Sequence, residues 1–170
     1  MKKYITLFFA FVSISVATAQ IRHVRHIKSI DLMYGVSGFG TTYSAGYVSY
    51  LSNTSYLKIG GFYEQGISQG LSYTSIGLEP YFAKNLVRAG YKYYLNAIGG
   101  AHISIDNSGA TLGEFKIPTT FKTGILLGIE NEIFISDKFV FVLNISQRIL
   151  LSQEFGNYRW FAQGGIRYNF

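Results

Sequence analysis

The chain has 170 residues, no cysteine, and a formal charge of +6 from 15 Lys and Arg against 9 Asp and Glu. That length allows one domain, the lack of cysteine excludes disulfides, lipoprotein anchoring and thiolate chemistry, and the mildly basic balance gives no argument for nucleic-acid binding. Its 14 Tyr, 14 Phe and 19 Gly, set against two Pro, favour strands and membrane interfaces.

Lys2 and Lys3, an apolar stretch from Tyr4 to Val16, and Ala17-Thr18-Ala19 before Gln20 predict a secretory signal peptide over 1–19, cleaved between Ala19 and Gln20. Residues 20–28 follow as a basic periplasmic leader. Its His23 and His26 offer two nitrogens at a spacing a metal could use, but with cationic neighbours and no third ligand they predict no metal site. Beyond the leader no long uncharged apolar run occurs, so helical membrane spans are excluded, and membrane entry requires a closed sheet.

Residues 29–170 resolve in steps of two into about eight segments separated by Gly, Asn, Asp and Ser. The first, Ser29 to Ser37, sets Ile30, Leu32, Tyr34 and Val36 against Ser29, Asp31 and Gly35. The second runs from about Thr42 to Leu51 and turns at Ser52-Asn53-Thr54. The third, Tyr56 to Gln65, alternates Leu57, Ile59 and Tyr63 with Lys58, Gly60 and Glu64. The fourth, Leu71 to Ala83, sets Ile76, Leu78 and Phe82 opposite Tyr73, Ser75 and Glu79; its Pro80 predicts a bulge or the end of the embedded stretch. An irregular connection, Lys84 to Gly90, follows.

The fifth segment, Tyr91 to Asp106, opposes Tyr93, Leu95, Ala97, Ala101, Ile103 and Ile105 to Lys92, Asn96, His102 and Ser104. The longest connection ends near Pro118. The sixth, Thr119 to Ile135, turns Ile125, Leu127, Ile129 and Ile133 away from Lys122, Glu130 and Glu132. After Ser136-Asp137-Lys138, the seventh opposes Phe139, Phe141, Leu143 and Ile145 to Asn144, Ser146 and Arg148. The eighth places Trp160, Ala162, Gly164, Ile166, Tyr168 and Phe170 on one side, and Arg159, Gln163, Arg167 and Asn169 on the other.

These alternations predict an all-β, transmembrane antiparallel up-and-down barrel of about eight strands in the bacterial outer membrane, both chain ends periplasmic. The connections after the second and sixth segments are short and that after the fifth is long, as the parity of such a barrel requires. A soluble sandwich or lipocalin-like barrel would have to hold Lys58, Glu64, Glu79, Lys92, Glu130, Glu132, Arg148 and Arg167 in a dry core; a membrane barrel holds them in its lumen. Glu130, Glu132, Arg148 and Arg167 are expected to share a lumen ionic network, since they come from consecutive segments. Eight strands enclose just enough space for side chains to fill, which argues against a diffusion pore.

The terminus Gln163, Gly165, Tyr168, Phe170 resembles the signal by which bacterial barrels are handed to the outer-membrane insertion machinery. His102-x-Ser104, with Glu114 later, resembles the acyl-transfer triad of lipid A deacylase barrels, but through three common residue types only. Gly60-Gly61, Gly99-Gly100 and Gly164-Gly165 lie inside strands, without phosphate-loop spacing, and read as packing or bending sites. Basic and aromatic residues interleave from Arg88 to Tyr94 as well as an interfacial belt would require, so direct nucleic-acid contact is not expected. No cofactor site is visible.

From about Tyr73 onward, Gly99-Gly100, Glu130-x-Glu132, Asp137, Asn144, Arg148-Ile149-Leu150, Gly156 and Gln163-x-Gly165 resemble the TraO family encoded by conjugative transposons. The connection from Asp106 to Pro118 is shorter than the family's, and the basic 21–29 segment is particular to this chain. The resemblance implies a non-enzymatic outer-membrane component of the mating apparatus, partnered by membrane lipid and other conjugative transfer proteins, and brings no catalytic residues. A general adhesin or stability barrel and a lipid A acyl hydrolase using His102 and Ser104 are the alternatives.

Overall fold

Period-two alternation reaches its structural consequence in a single closed sheet. The computed structural model describes residues 26–68, 71–108, 111–112, 115–116, 119–151 and 158–170. Its strands are β1 (Lys28–Ser37), β2 (Gly40–Ser52), β3 (Ser55–Ser68), β4 (Leu71–Ala89), β5 (Tyr93–Ser108), β6 (Thr111–Leu112), β7 (Phe115–Lys116), β8 (Thr120–Phe134), β9 (Phe139–Leu150) and β10 (Tyr158–Asn169). Eight of them form an antiparallel barrel in the order β1-β10-β9-β8-β5-β4-β3-β2, while β6 and β7 make a two-residue hairpin within the long connection.

β1 and β10 close the ring from Ser29↔Asn169 to Ser37↔Phe161. Every barrel strand therefore has two neighbours, and the open edges that invite aggregation are gone. β1 begins and β10 ends at one end of the barrel, together with the turns at 53–54, 90–92 and 135–138; at the opposite end β5 and β9 finish and β8 and β10 begin. These are called the terminal end and the loop end below.

The side-chain distribution is inverted relative to a soluble barrel. Outward positions carry Leu32 at 64% exposure and Ile59 at 61%, whereas Arg167, Glu130 and Lys122 point inward at 0%. An apolar band of that extent in water would cost tens of kcal/mol at about 25 cal/mol per Å². Aromatic side chains fringe it. Phe82, Phe139, Tyr168 and Phe170 lie toward the terminal end, and Tyr34, Tyr43, Tyr63, Phe121 and Trp160 toward the loop end. Several are in ring contact, Tyr34 with Tyr43 at 5.2 Å and Phe139 with Tyr168 at 5.3 Å between centroids. Between these fringes Ala45 and Gly61 floor an outward apolar groove of about 840 Å³, walled by Leu32, Tyr43, Tyr63 and Leu78.

Four local expectations are corrected. Pro80 makes no bulge: it sits mid-way along β4, paired with Ile59, and the register to β5 is the same on either side of it. A proline there forfeits only its own N–H, and the ladder to β5 simply skips Glu79 and Pro80. The irregularity falls instead between Asn85 and Val87, inside the stretch read as a connection; β4 continues to Ala89 and turns at Gly90, whose φ of +61° suits a residue without Cβ. Lys92 belongs to that turn and not to the inward wall. Finally, the ladder takes in the last residues of the segment read as leader, with His26 N donating to Tyr50 O and Tyr50 N to Ile27 O, both at 3.0 Å.

Candidate functional site: a charged, filled lumen

Inward alternation delivers ionised groups from seven strands to the barrel interior, and three arginines arrange them in successive groups along the axis. Nearest the terminal end, β10 presents Arg167 beside Asp31 of β1, its register partner. Its guanidinium donates to Asp31 Oδ2 at 3.0 Å, to Glu130 Oε1 at 2.6 Å, to Glu132, and to Tyr50 Oη at 3.2 Å. Lys58 Nζ joins Asp31 at 2.8 Å. The carboxylates are satisfied further by neutral donors: Tyr50 Oη and Asn96 Nδ2 to Glu132, Tyr56 Oη, Tyr81 Oη and Asn144 Nδ2 to Glu130. Buried charge is tolerable only when paired and hydrogen-bonded in this way.

Arg148 organises the middle group. It donates to Glu64 Oε2 at 3.3 Å and to Glu79, and its guanidinium lies between Phe62 and Phe161, 4.0 and 3.3 Å from the ring centroids. Toward the loop end, Arg159 donates to Asp106 Oδ2 at 2.8 Å and to Tyr73, while Lys122 Nζ lies 3.1 Å from the same carboxylate oxygen and Ser75 Oγ donates to Asp106 Oδ1.

Inward apolar and aromatic side chains pack among and beneath these groups. Val48, Tyr50, Tyr56, Tyr81, Ala83, Ile98 and Leu126 form one cluster, and Met33, Tyr94, Phe134, Val140 and Val142 another. Between the Arg167 and Arg148 groups, a cavity of about 10 Å³ is lined by Lys58, Glu79, Tyr81, Ser44 and Asn144. That is near the minimum for one water molecule.

The four residues expected to share one network are thus divided. Glu130, Glu132 and Arg167 meet; Arg148 does not join them, and pairs across the lumen with Glu64 and Glu79. The register gives the reason. In the β8–β9 ladder Glu130 faces Asn144 and Glu132 faces Val142, whereas Arg148 faces Leu126. Four residues of strand, about 13 Å at 3.3 Å each, separate Arg148 from the row that holds Glu130. Asp31, Lys58, Tyr50, Tyr56 and Tyr81 complete the Arg167 group. Parity with Lys58 and Glu79 turns Tyr56 and Tyr81 inward, but which carboxylates the tyrosines meet depends on the stagger between strands, of which the sequence carries no mark.

His102 and Ser104 stand on the inward face of β5, both buried. His102 Nε2 is 3.1 Å from Ser104 Oγ, and Nδ1 is 2.9 Å from Glu79 Oε1; the imidazole stacks on Phe62 at 5.2 Å. The acid on the histidine is therefore Glu79 of the neighbouring strand β4; Glu114, the acid of the resemblance, lies outside the described residues. Ser104 is 1% exposed, and its single hydroxyl proton has a second acceptor in Asp106 Oδ1 at 3.1 Å.

Among the terminus residues, Gln163 is inward and donates to Thr42 Oγ1 at 3.2 Å. Gly165 is one of the close approaches of β10 to β1: an added Cβ would strike the Leu32 carbonyl and come within 2.8 Å of Met33 Cα. Tyr168 and Phe170 face outward, and Phe170 N donates to Lys28 O at 2.9 Å. Removing Phe170 deletes both that bond and an outward ring at the seam. The expected outcome is a smaller membrane-inserted fraction, read as loss of the heat-modifiable band on electrophoresis; an unchanged band would refute a role in insertion.

Of the positions that carry the family resemblance, Gly99 and Gly100 lie in β5, and Asn144 supports Glu130 from β9. The Asp137 carbonyl accepts from Asn169 Nδ2 at 2.9 Å, tying the β8–β9 turn to β10. Gly156, and the cleavage pair Ala19 and Gln20, lie outside the described residues.

No protein-family model and no curated protein sequence matches the chain. Solved structures do. The N-terminal β-barrel domain of Pseudomonas aeruginosa OprF superposes with a TM-score of 0.62 at 12% identity, covering 86% of this chain and 98% of that one. Neisserial surface protein A gives 0.57 at 11% identity, covering 85% and 96%. The outer membrane enzyme PagL gives 0.51 at 13% identity, covering 82% and 98%. At such identities the likeness is one of architecture: the chain has the closed eight-stranded antiparallel fold of outer-membrane barrels.

Proposed function

We propose that this chain is a non-enzymatic outer-membrane barrel, its terminal end in the periplasm, serving as a structural or docking part of a conjugative DNA-transfer apparatus. The observation that supports a structural role is the lumen itself. Arg167 and Arg148 reach across the lumen to carboxylates of other strands, Arg159 holds Asp106 of β5, and the space between the first two groups is water-sized, so the barrel has the build of a rigid post and not of a conduit. The assignment to DNA transfer rests on the TraO resemblance through Gly99-Gly100, Glu130-x-Glu132, Asp137, Asn144 and Gln163-x-Gly165. Deleting the gene from a donor should reduce transfer frequency to the level of a donor lacking the apparatus, with restoration by a plasmid-borne copy. An undiminished frequency would refute the transfer role and leave an adhesin or stability barrel.

One observation favours a second reading, lipid modification: the Ser104–His102–Glu79 chain, in a fold similar to that of PagL, described as an outer membrane enzyme. Against it stand the burial of Ser104 and the competing carboxylate of Asp106, which leave the hydroxyl neither accessible to an acyl ester nor committed to the imidazole. On the structural reading, His102→Gln leaves the host's lipid A mass spectrum unchanged. A shift by one acyl chain between wild type and variant would establish the enzyme instead.

A further inference from the structure

The terminal end carries exposed charged side chains at Lys28, Lys84, Arg88 and Lys138, with the acid Asp137 among them and Lys92 half-buried beside them. Their distribution is circumferential. Lys28 opens β1; Lys138 lies in the β8–β9 turn, where its carbonyl accepts from Asn169 N of β10 at 2.8 Å; Arg88 and Lys84 are on β4, and Lys84 Nζ reaches Thr54 Oγ1 in the β2–β3 turn at 3.1 Å. The Lys92 carbonyl accepts from Phe134 N of β8. Lys28, Lys138 and Lys84 thus stand at three well-separated points around the barrel, with Arg88 four residues further along β4.

The three lysines Lys28, Lys84 and Lys138 also sit just beyond the apolar band on the same wall. Ile30 follows Lys28 on the outward face, Phe82 precedes Lys84, and Phe139 follows Lys138. Arg88 is held over Tyr91 at 5.6 Å, a ring that is 68% exposed. A long cationic side chain at that height extends its head from hydrocarbon into the headgroup layer.

We propose that these cations bind the phosphates of anionic phospholipids in the leaflet at the terminal end, and so set the height and tilt of the barrel. A protein partner of acidic character would be matched by a patch on one side; lysines on separate walls, at the start of β1, in the β8–β9 turn and on β4, match a plane of headgroups. Basic residues beside an anionic leaflet gain from its surface potential over about a Debye length, roughly 8 Å at physiological salt. The inference rests on the membrane setting proposed above.

The test is the relative association of spin-labelled phosphatidylglycerol and phosphatidylcholine with the full-length barrel, folded in phosphatidylcholine vesicles. Wild type should prefer phosphatidylglycerol. The preference should fall to unity in a combined Lys28→Gln, Lys84→Gln, Arg88→Gln and Lys138→Gln variant and at molar salt, and fall part-way in Lys28→Gln and Lys138→Gln singly. It should persist in Lys28→Arg and Lys138→Arg and rise in Asp137→Asn. A wild type without preference, or a preference that survives the combined substitution, overturns this role of the cations and leaves the membrane reading standing. A chain that fails to insert into any vesicle overturns both.

Discussion

Arg167→Leu is expected to destabilise the folded barrel by about 3–5 kcal/mol, the cost of leaving buried carboxylates without their cation. The guanidinium is the shared partner of Asp31, Glu130 and Glu132, and it is 0% exposed, so neither solvent nor another arginine takes its place. Lys58 is bound to Asp31 and is the one other cation in that group. Urea titration in vesicles, followed by the fluorescence of the sole tryptophan, Trp160, measures the change. Pairing the substitution with Glu132→Leu should recover part of the loss, because an apolar pair of similar volume is often no worse than the ion pair it replaces. A near-neutral Arg167→Leu would mean that the Arg167 group does not hold the lumen together.

Ile145→Arg is expected to cost about 2–4 kcal/mol in the same titration, the depth-dependent penalty for a cation on the lipid face of a barrel near the bilayer midplane. Ile145 is outward, 57% exposed, mid-way along β9, and lies between Ile129 and Ala162 in the ladder. In a barrel surrounded by water, the same surface substitution would change stability by within about 0.5 kcal/mol. The two environments therefore predict different numbers for one change. Ile145→Leu, which preserves apolar character, serves as the reference and should be close to wild type.

What was legible beforehand follows from a property of strands. Alternation has a period of two, so Ile30-x-Leu32-x-Tyr34 or Lys58-x-Gly60 declares its two faces without knowledge of any neighbour, and all eight barrel strands were found this way. The sense of the inversion was legible too, because Glu130 and Glu132 fall on one face and Ile129 and Ile133 on the other. Partners were not. Arg148 finding Glu64 and Glu79, and His102 finding Glu79, depend on stagger between strands that are distant in sequence, and stagger leaves no periodic trace. Pro80 misled for a related reason: its lost donor matters only if the facing carbonyl needs it, which the register with β5 decides. Turn bounds were weakest where the chain is least regular, as at Asn85 to Gly90.

The seam between β1 and β10 joins residues 140 positions apart, Ser29 and Asn169, through a direct side-chain bond of 2.7 Å as well as the ladder. Closing such a ring needs both ends of the chain. A polypeptide still emerging, or clipped before its final dozen residues, would present two unsatisfied rims at once, with greasy flanks and no partner for either. Completion and water-tightness thus arrive together, and a half-made version has no stable resting place in the bilayer: it is finished, or it is fodder for proteases.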